Sequence, residues 1–149
     1  MLSVPVKPQP DGDLRLHASS VSFNHKALVI AGPSGSGKSS LALRMMSLGA
    51  TLISDDITVL SSAPDHVTAH RPATLPALIE VRGFGLLNTP VHAGEGVAAV
   101  LDLGTDEADR LPPLRHITLL GRSFPLFHKP ATPYIAEAMI HYLTYGRSD

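Results

Sequence analysis

Apolar and polar residues alternate through Val21, Ser22 and Phe23, and Asn24-His25 interrupts them as a turn does. Lys26–Ala31 then carries five consecutive apolar residues, the pattern of a strand covered on both faces, and stops at Gly32-Pro33. From Ser39 to Leu48 the spacing changes. Leu41, Ala42, Met45, Met46 and Leu48 recur at helical intervals, and Gly49 stands where a helix would end. Ala50–Ser54 returns to a strand pattern and closes on Asp55-Asp56. Strand, loop, helix and strand in about thirty residues make a βαβ element.

Downstream, Ile57–Leu60, His66–His70, Ala77–Val81, Val97–Leu103, Arg115–Leu120 and Ser123–Phe127 read as short strands between Pro and Gly punctuation. A second helix is predicted from Pro133 to Tyr145. Thr132 is its expected N-cap, Pro133 its first residue, and Ile135, Met139, Ile140, Tyr142 and Leu143 its apolar face. Pro5, Pro8 and Pro10 make residues 1–13 an expected irregular arm, with a single domain over residues 14–149. Two helices among many strands predict a sheet-rich α/β fold.

Composition narrows the function classes. At 149 residues and 44% hydrophobic, the chain can bury one core. Its 17% charged share lies under the roughly 25% of ordinary domains, which excludes disorder driven by charge. Twelve basic residues against 13 acidic ones give a net charge of −1. That lacks the basic footprint of nucleic-acid or anionic-membrane binding, so neither partner is expected. Without cysteine there is no disulfide scaffold, thiol nucleophile or Cys-ligated metal. The longest apolar runs, Ala27–Ala31 and Val97–Leu101, are five residues each, against the roughly 20 of a bilayer span. With no export signal at the N-terminus, a soluble, cytoplasmic protein is expected.

One motif dominates the chemistry. Gly32-Pro33-Ser34-Gly35-Ser36-Gly37-Lys38-Ser39 fits the phosphate-binding pattern G-x-x-x-x-G-K-[ST] between a strand and a helix. Glycines let successive N–H groups turn toward one anion, and the helix N-terminus adds partial positive charge. Lys38 can reach the β- and γ-phosphates, and the Ser39 hydroxyl can ligate a bridging Mg²⁺. A Gly/Ser-rich turn before a helix has no need of that lysine.

Asp55 and Asp56 end the strand after the loop's helix. In a parallel sheet, ligands collect at the carboxyl ends of strands, which brings both acids toward the phosphates. Adjacent side chains at an extended strand end point opposite ways. One acid can hold Mg²⁺ and the other can take a proton from an attacking hydroxyl. A solvated turn is the plain alternative.

The chain resembles the catalytic domain of the HPr kinase/phosphorylase family. Ile79-Glu80-Val81-Arg82-Gly83-Phe84-Gly85-Leu86-Leu87-Asn88 is similar to that family's E-[IV]-R-G-x-G-[IL]-[IL]-N signature. His17-Ala18 before the loop, the Asp-Asp pair and Asp109-Arg110-Leu111 also match, so the resemblance runs from His17 to the final helix. It implies a P-loop-containing kinase domain of the HPr kinase / PEP-carboxykinase-like type. The implied activity is ATP-dependent phosphorylation of a serine on an HPr-like phosphocarrier protein, with Mg²⁺. A reverse reaction would use inorganic phosphate and release pyrophosphate.

The resemblance also implies roles. His17 corresponds to an active-site histidine, Asp56 to the residue that takes and returns the proton, and Asp55 to a metal neighbour. Glu80 resembles a second magnesium-linked residue beside Ser39, and Arg110 the family's catalytic arginine. From the residues alone, Glu80 and Arg82 two apart on a strand share a face and would border one pocket. Arg82 equally suits a surface salt bridge, Gly83 and Gly85 a bulge, Arg110 an ordinary loop, and His17 a packed or surface histidine. Three departures stand out. The chain begins 16 residues before His17, which predicts a catalytic-domain-only form. Pro33 and Ser40 stand where the family favours acids. The family's late basic stretch corresponds to Phe127–Thr132, where Lys129 is the one Lys or Arg. A homo-oligomer is expected by resemblance to the family's hexamer. A small-molecule kinase and a nucleotide-sensing module without turnover are the competing readings.

Overall fold

A computed structural model describes residues 1–148. Its elements are β1 (Val6–Pro8), β2 (Leu14–Phe23), β3 (Lys26–Ala31), α1 (Lys38–Ser47), β4 (Thr51–Ser54), β5 (Ile57–Ser62) and β6 (Val67–His70). There follow β7 (Leu78–Val81), β8 (Gly85–Asn88), β9 (Glu95–Asp106), β10 (His116–Leu119), β11 (Arg122–Lys129) and α2 (Ile135–Tyr145). No helix among the described residues is long and apolar enough to cross a membrane.

Nine of the described strands join one sheet, and β7 and β8 form a separate hairpin. The pairings β2–β5–β6–β9–β3 return to β2, so the sheet closes on itself. The period-two geometry of β3 divides the interior in two. Ala27, Val29 and Ala31 face a core enclosed by the strands, with Leu16, Leu60, Val67 and Val100. Leu28 and Ile30 face the other core, beneath both helices, with Ala42, Met45, Met139 and Leu143.

The sheet is mixed rather than parallel. β3 and β4 both run antiparallel to β2, which lies between them, so the crossover through α1 skips one strand. β3 and β4 nevertheless point the same way. β9 is parallel to β3, and β11 to β9. The carboxyl ends of four strands therefore meet one edge, and the phosphate-binding loop, Asp55 and Lys129 all leave from it.

Three expectations need correction. Residues 1–13 are not an irregular arm throughout: Val6, Lys7 and Pro8 pair with Leu16, Arg15 and Leu14, and Leu2 and Val4 enter the core. An edge strand tolerates its proline because one side of its ladder is free. Thr132 is not the N-cap of α2. The cap is Tyr134, without a side-chain bond; Thr132 Oγ1 instead accepts the Tyr134 N–H at 3.3 Å, in a turn before the helix. Pro133 belongs to that turn and not to the first helical position. Finally, β8 is a strand that alternation missed, because all four of its residues are exposed.

Candidate active site

The phosphate-binding loop joins β3 to α1, and Gly37 caps the helix at φ 99°. An L side chain is strained there, so the motif's last glycine is a backbone requirement. Gly32 serves a different need: a Cβ on it would run into the Ser36 hydroxyl. Lys38 is 6% exposed and folded back on the loop. Its ammonium donates to the carbonyls of Gly32 at 2.8 Å and Pro33 at 3.1 Å. It has no carboxylate partner among the described residues. A charge-assisted contact to a phosphate is stronger than one to a neutral carbonyl, so an arriving anion can draw it away.

Asp55 lies where α1 starts and β4 ends. Its Oδ1 accepts the hydroxyls of Ser39 at 2.6 Å and Ser19 at 2.9 Å; its Oδ2 accepts the Glu80 N–H at 3.1 Å. Asp56 takes a left-handed conformation at φ 69° and turns its exposed carboxylate the other way. His17 Nδ1 lies 3.8 Å from Asp56 Oδ1. The two acids thus divide as adjacent residues at a strand end should: one turned to the loop's serine, the other to His17.

Beside them opens a cleft of about 350 Å³ lined by Ser34, Gly35, Gly37–Ser40, Asp56, Glu80 and Arg82; Asp55 and His17 are not in that lining and adjoin it through Ser39 and Asp56. Glu80 and Arg82 both border it, as the sequence predicts, but for another reason. β7 ends at Val81, and Arg82, Gly83 and Phe84 form the hairpin loop to β8, closed by the Phe84 N–H to the Val81 carbonyl at 2.9 Å. Gly83 at φ 89° and Gly85 at φ 110° supply the turn rather than a bulge. Phe84 is 81% exposed, and Asn88 pairs with Leu78 at the far end of the hairpin.

Arg110 and Lys129 stand apart from the cleft lining. Arg110 is exposed in the loop after β9. Lys129 ends β11, and its carbonyl accepts the Glu107 N–H at 2.8 Å. Glu107 is gripped by both guanidinium nitrogens of Arg115, whose hydrogen bonds hold its carboxyl below the usual glutamate range.

No three His, Cys, Asp or Glu side chains cluster as a metal cage among the described residues. The donors present still suit Mg²⁺, which binds through one or two carboxylates and keeps its other positions for water and phosphate oxygens. Ser39 and Asp55 supply such a pair of hard oxygens, already in contact, and Glu80 reaches them through its backbone. Sequence reasoning missed Ser19. Its signal was faint: Ser19, Ser20 and Ser22 share one strand with Arg15 and His17, and nothing in that pattern marks Ser19 and Ser20 as the fully buried pair.

The described family "HPr Serine kinase C-terminal domain" matches residues 12–102. The HPr kinase/phosphorylase of Bordetella pertussis is 46% identical over 69 residues, 46% of this chain and 22% of that one. Its namesake from Aromatoleum aromaticum is 41% identical over 83 residues, 55% of this chain and 26% of the other. The chain thus matches about a quarter of the length of these curated relatives. A solved structure described as the Hpr(Ser) kinase/phosphatase from Coxiella burnetii superposes with a TM-score of 0.76. It covers 87% of this chain and 93% of its own at 21% identity, a likeness of fold.

Proposed function

The chain belongs to the family of HPr serine kinase C-terminal domains, and from that premise we propose that it is an ATP-dependent serine kinase acting on an HPr-like phosphocarrier protein. The observation that carries this reading is the 2.6 Å contact between Ser39 and Asp55 beside a cleft that also holds Asp56 and Arg82. Phosphate-loop serine, metal-side acid and a second acid of opposite orientation are the parts phosphoryl transfer needs.

The loop N–H groups and the α1 N-terminus bind the β- and γ-phosphates. Lys38 exchanges its two carbonyl acceptors for phosphate oxygens. Ser39 and Asp55, with Glu80 beside them, would hold Mg²⁺, which supplies charge neutralisation between the phosphates. Asp56 takes the proton as the acceptor serine oxygen bonds to the γ-phosphorus and the bond to the ADP oxygen breaks. His17 stands beside that carboxylate, and Arg82 faces the cleft as a donor to the transferring group. Arg110 would have to approach from its exposed loop to share that role. In reverse, an oxygen of inorganic phosphate bonds to the phosphoserine phosphorus as the bond from phosphorus to the serine oxygen breaks; Asp56 returns the proton to that serine oxygen, and the pyrophosphate formed is released. The reading implies a cytoplasmic enzyme and, following the family's hexamer, a homo-oligomer.

The test is incubation of the purified protein with ATP, Mg²⁺ and the host's HPr-like proteins, followed by mass spectrometry. A phosphoserine on the carrier is expected. Label on a metabolite instead would favour a small-molecule kinase; ATP bound for hours without product would favour a sensing module. Lys38→Ala should lower transfer by about 10³-fold with the fold intact, since a positive charge beside the transferring group is lost from the transition state. Retained transfer would remove Lys38 from the mechanism.

A further inference from the structure

We propose that Ser19 is a positioning residue that couples the two acids of the site, setting the carboxylate of Asp55 for a divalent cation and the backbone of Asp56 for its outward turn. The inference rests on the reading of the cleft as a Mg²⁺–nucleotide site. Ser19 sits in mid-β2 and is fully buried, so its hydroxyl has no water to fall back on. A hydroxyl offers one proton and two lone pairs. Here the proton goes to Asp55 Oδ1 at 2.9 Å, and a lone pair faces the Asp56 N–H at 3.4 Å. The same side chain thus touches both acids.

Each contact has a consequence. Oδ1 of Asp55 receives Ser19 and Ser39 together. Ser39 would turn toward the cation on binding, and Ser19 then remains as the hydroxyl that keeps the carboxylate plane in place. Asp56 occupies a left-handed conformation that a non-glycine residue adopts only at a steric cost. Two neighbours on β2 hold it there: the Ala18 N–H donates to the Asp56 carbonyl at 3.0 Å, and Ser19 meets the Asp56 N–H. Ser20, next along the strand, is equally buried but bonds Thr58 Oγ1 at 2.9 Å and touches neither acid. It is a built-in control for the loss of a buried hydroxyl.

The experiment is calorimetric titration of a non-hydrolysable ATP analogue, with and without Mg²⁺. In the unaltered protein Mg²⁺ should tighten binding. In Ser19→Ala that gain should shrink about fivefold, the worth of one hydrogen bond, with metal-free affinity unchanged. Ser19→Thr should restore it. Ser20→Ala should lower the melting temperature and keep the whole gain. A full Mg²⁺ gain in Ser19→Ala overturns the proposal, as does an equal loss in Ser20→Ala. If the alanine variant does not fold, Ser19→Cys, a weak donor of similar volume, is read in the same titration and should show the reduced gain. No Mg²⁺ gain in the unaltered protein would instead defeat the reading of the cleft, and this inference with it.

Discussion

The corner where β3, α1 and β4 meet and the loop between β9 and β10 start from the same edge of the sheet, yet they are held by opposite means. At the corner, Asp55 receives three donors and Lys38 is clasped by two carbonyls of its own loop. In the loop, residues 107–115, the Glu107–Arg115 ion pair closes the base, and Arg147 donates to the Pro112 carbonyl. Arg110 and Leu111, between those ties, are exposed. The phosphate-binding end of the site therefore carries its order within itself, while the arginine end is tied at its base and at Pro112 and leaves Arg110 exposed between the ties. On the proposed reading, nucleotide binding should depend on the corner alone, and Arg110 would have to be brought to it.

Asp56→Asn breaks the comparison at its strongest point. Asparagine tolerates the left-handed conformation at this position, so the backbone of the corner should survive. The substitution removes proton acceptance and one negative charge from the cleft. Turnover should fall by about 10²–10⁴-fold, with nucleotide affinity no weaker, as steady-state rates and calorimetry would report. A loss of less than about tenfold would deny Asp56 the role of base.

Gly104→Ala tests how far the corner's order reaches. Gly104 follows β9's Asp102, whose fully buried carboxylate accepts the Ser3 N–H at 2.7 Å, the Ser3 hydroxyl at 2.5 Å and the Gly104 N–H at 2.9 Å. A Cβ on Gly104 would come within 2.8 Å of Pro33 Cδ and crowd Ser3. Overpacking of this kind costs about 1–3 kcal/mol. If the corner is the rigid partner, the N-terminal segment yields: denaturant unfolding shows the loss, and nucleotide affinity stays. Weakened nucleotide binding would mean that the loop moved instead.

Much of the corner was legible in the sequence because its determinants are local. An unbroken apolar run ends at the loop, and Lys26–Ala31 is a strand with the bounds the pattern predicts. The loop motif fixes a turn, a lysine and a serine within eight residues. Asp55 and Asp56 follow from strand-end geometry. What escaped depends on distant pairing. β2 separates β3 from β4, and no local pattern announces a crossover that skips a strand. β8 has no buried face to create alternation, and Arg82 reaches the cleft from a hairpin loop rather than from a strand face. Ser19 matters only through residues 36 and 37 positions away. The roles of Arg110 and Lys129 rest on resemblance, and neither lines the cleft.

The loop end is the place to look for the smallest effect, and pH separates it from the corner. Glu107 is held below its ordinary value of 4.5, first by the hydrogen bond from Arg115. A carboxyl depressed by folding stabilises fully above its unfolded value and gives that stability up as pH falls through the folded one. Acidification below 4.5 should therefore release the base of residues 107–115. Glu137 is likewise held below its ordinary value by its bond from Arg44 between the two helices, so global melting would mix the two. Amide exchange read segment by segment keeps them apart. Protection in residues 107–115 should fall at acid pH while the Ser19–Asp55 corner keeps its own, and Glu107→Gln should loosen the loop at neutral pH. Its melting shift should be smaller than that of Gly104→Ala, because glutamine keeps an oxygen that can accept from Arg115, whereas a Cβ on Gly104 overpacks a closed contact. Equal loss of protection in both segments would show that loop and corner open as one unit, and the contrast between them would fall.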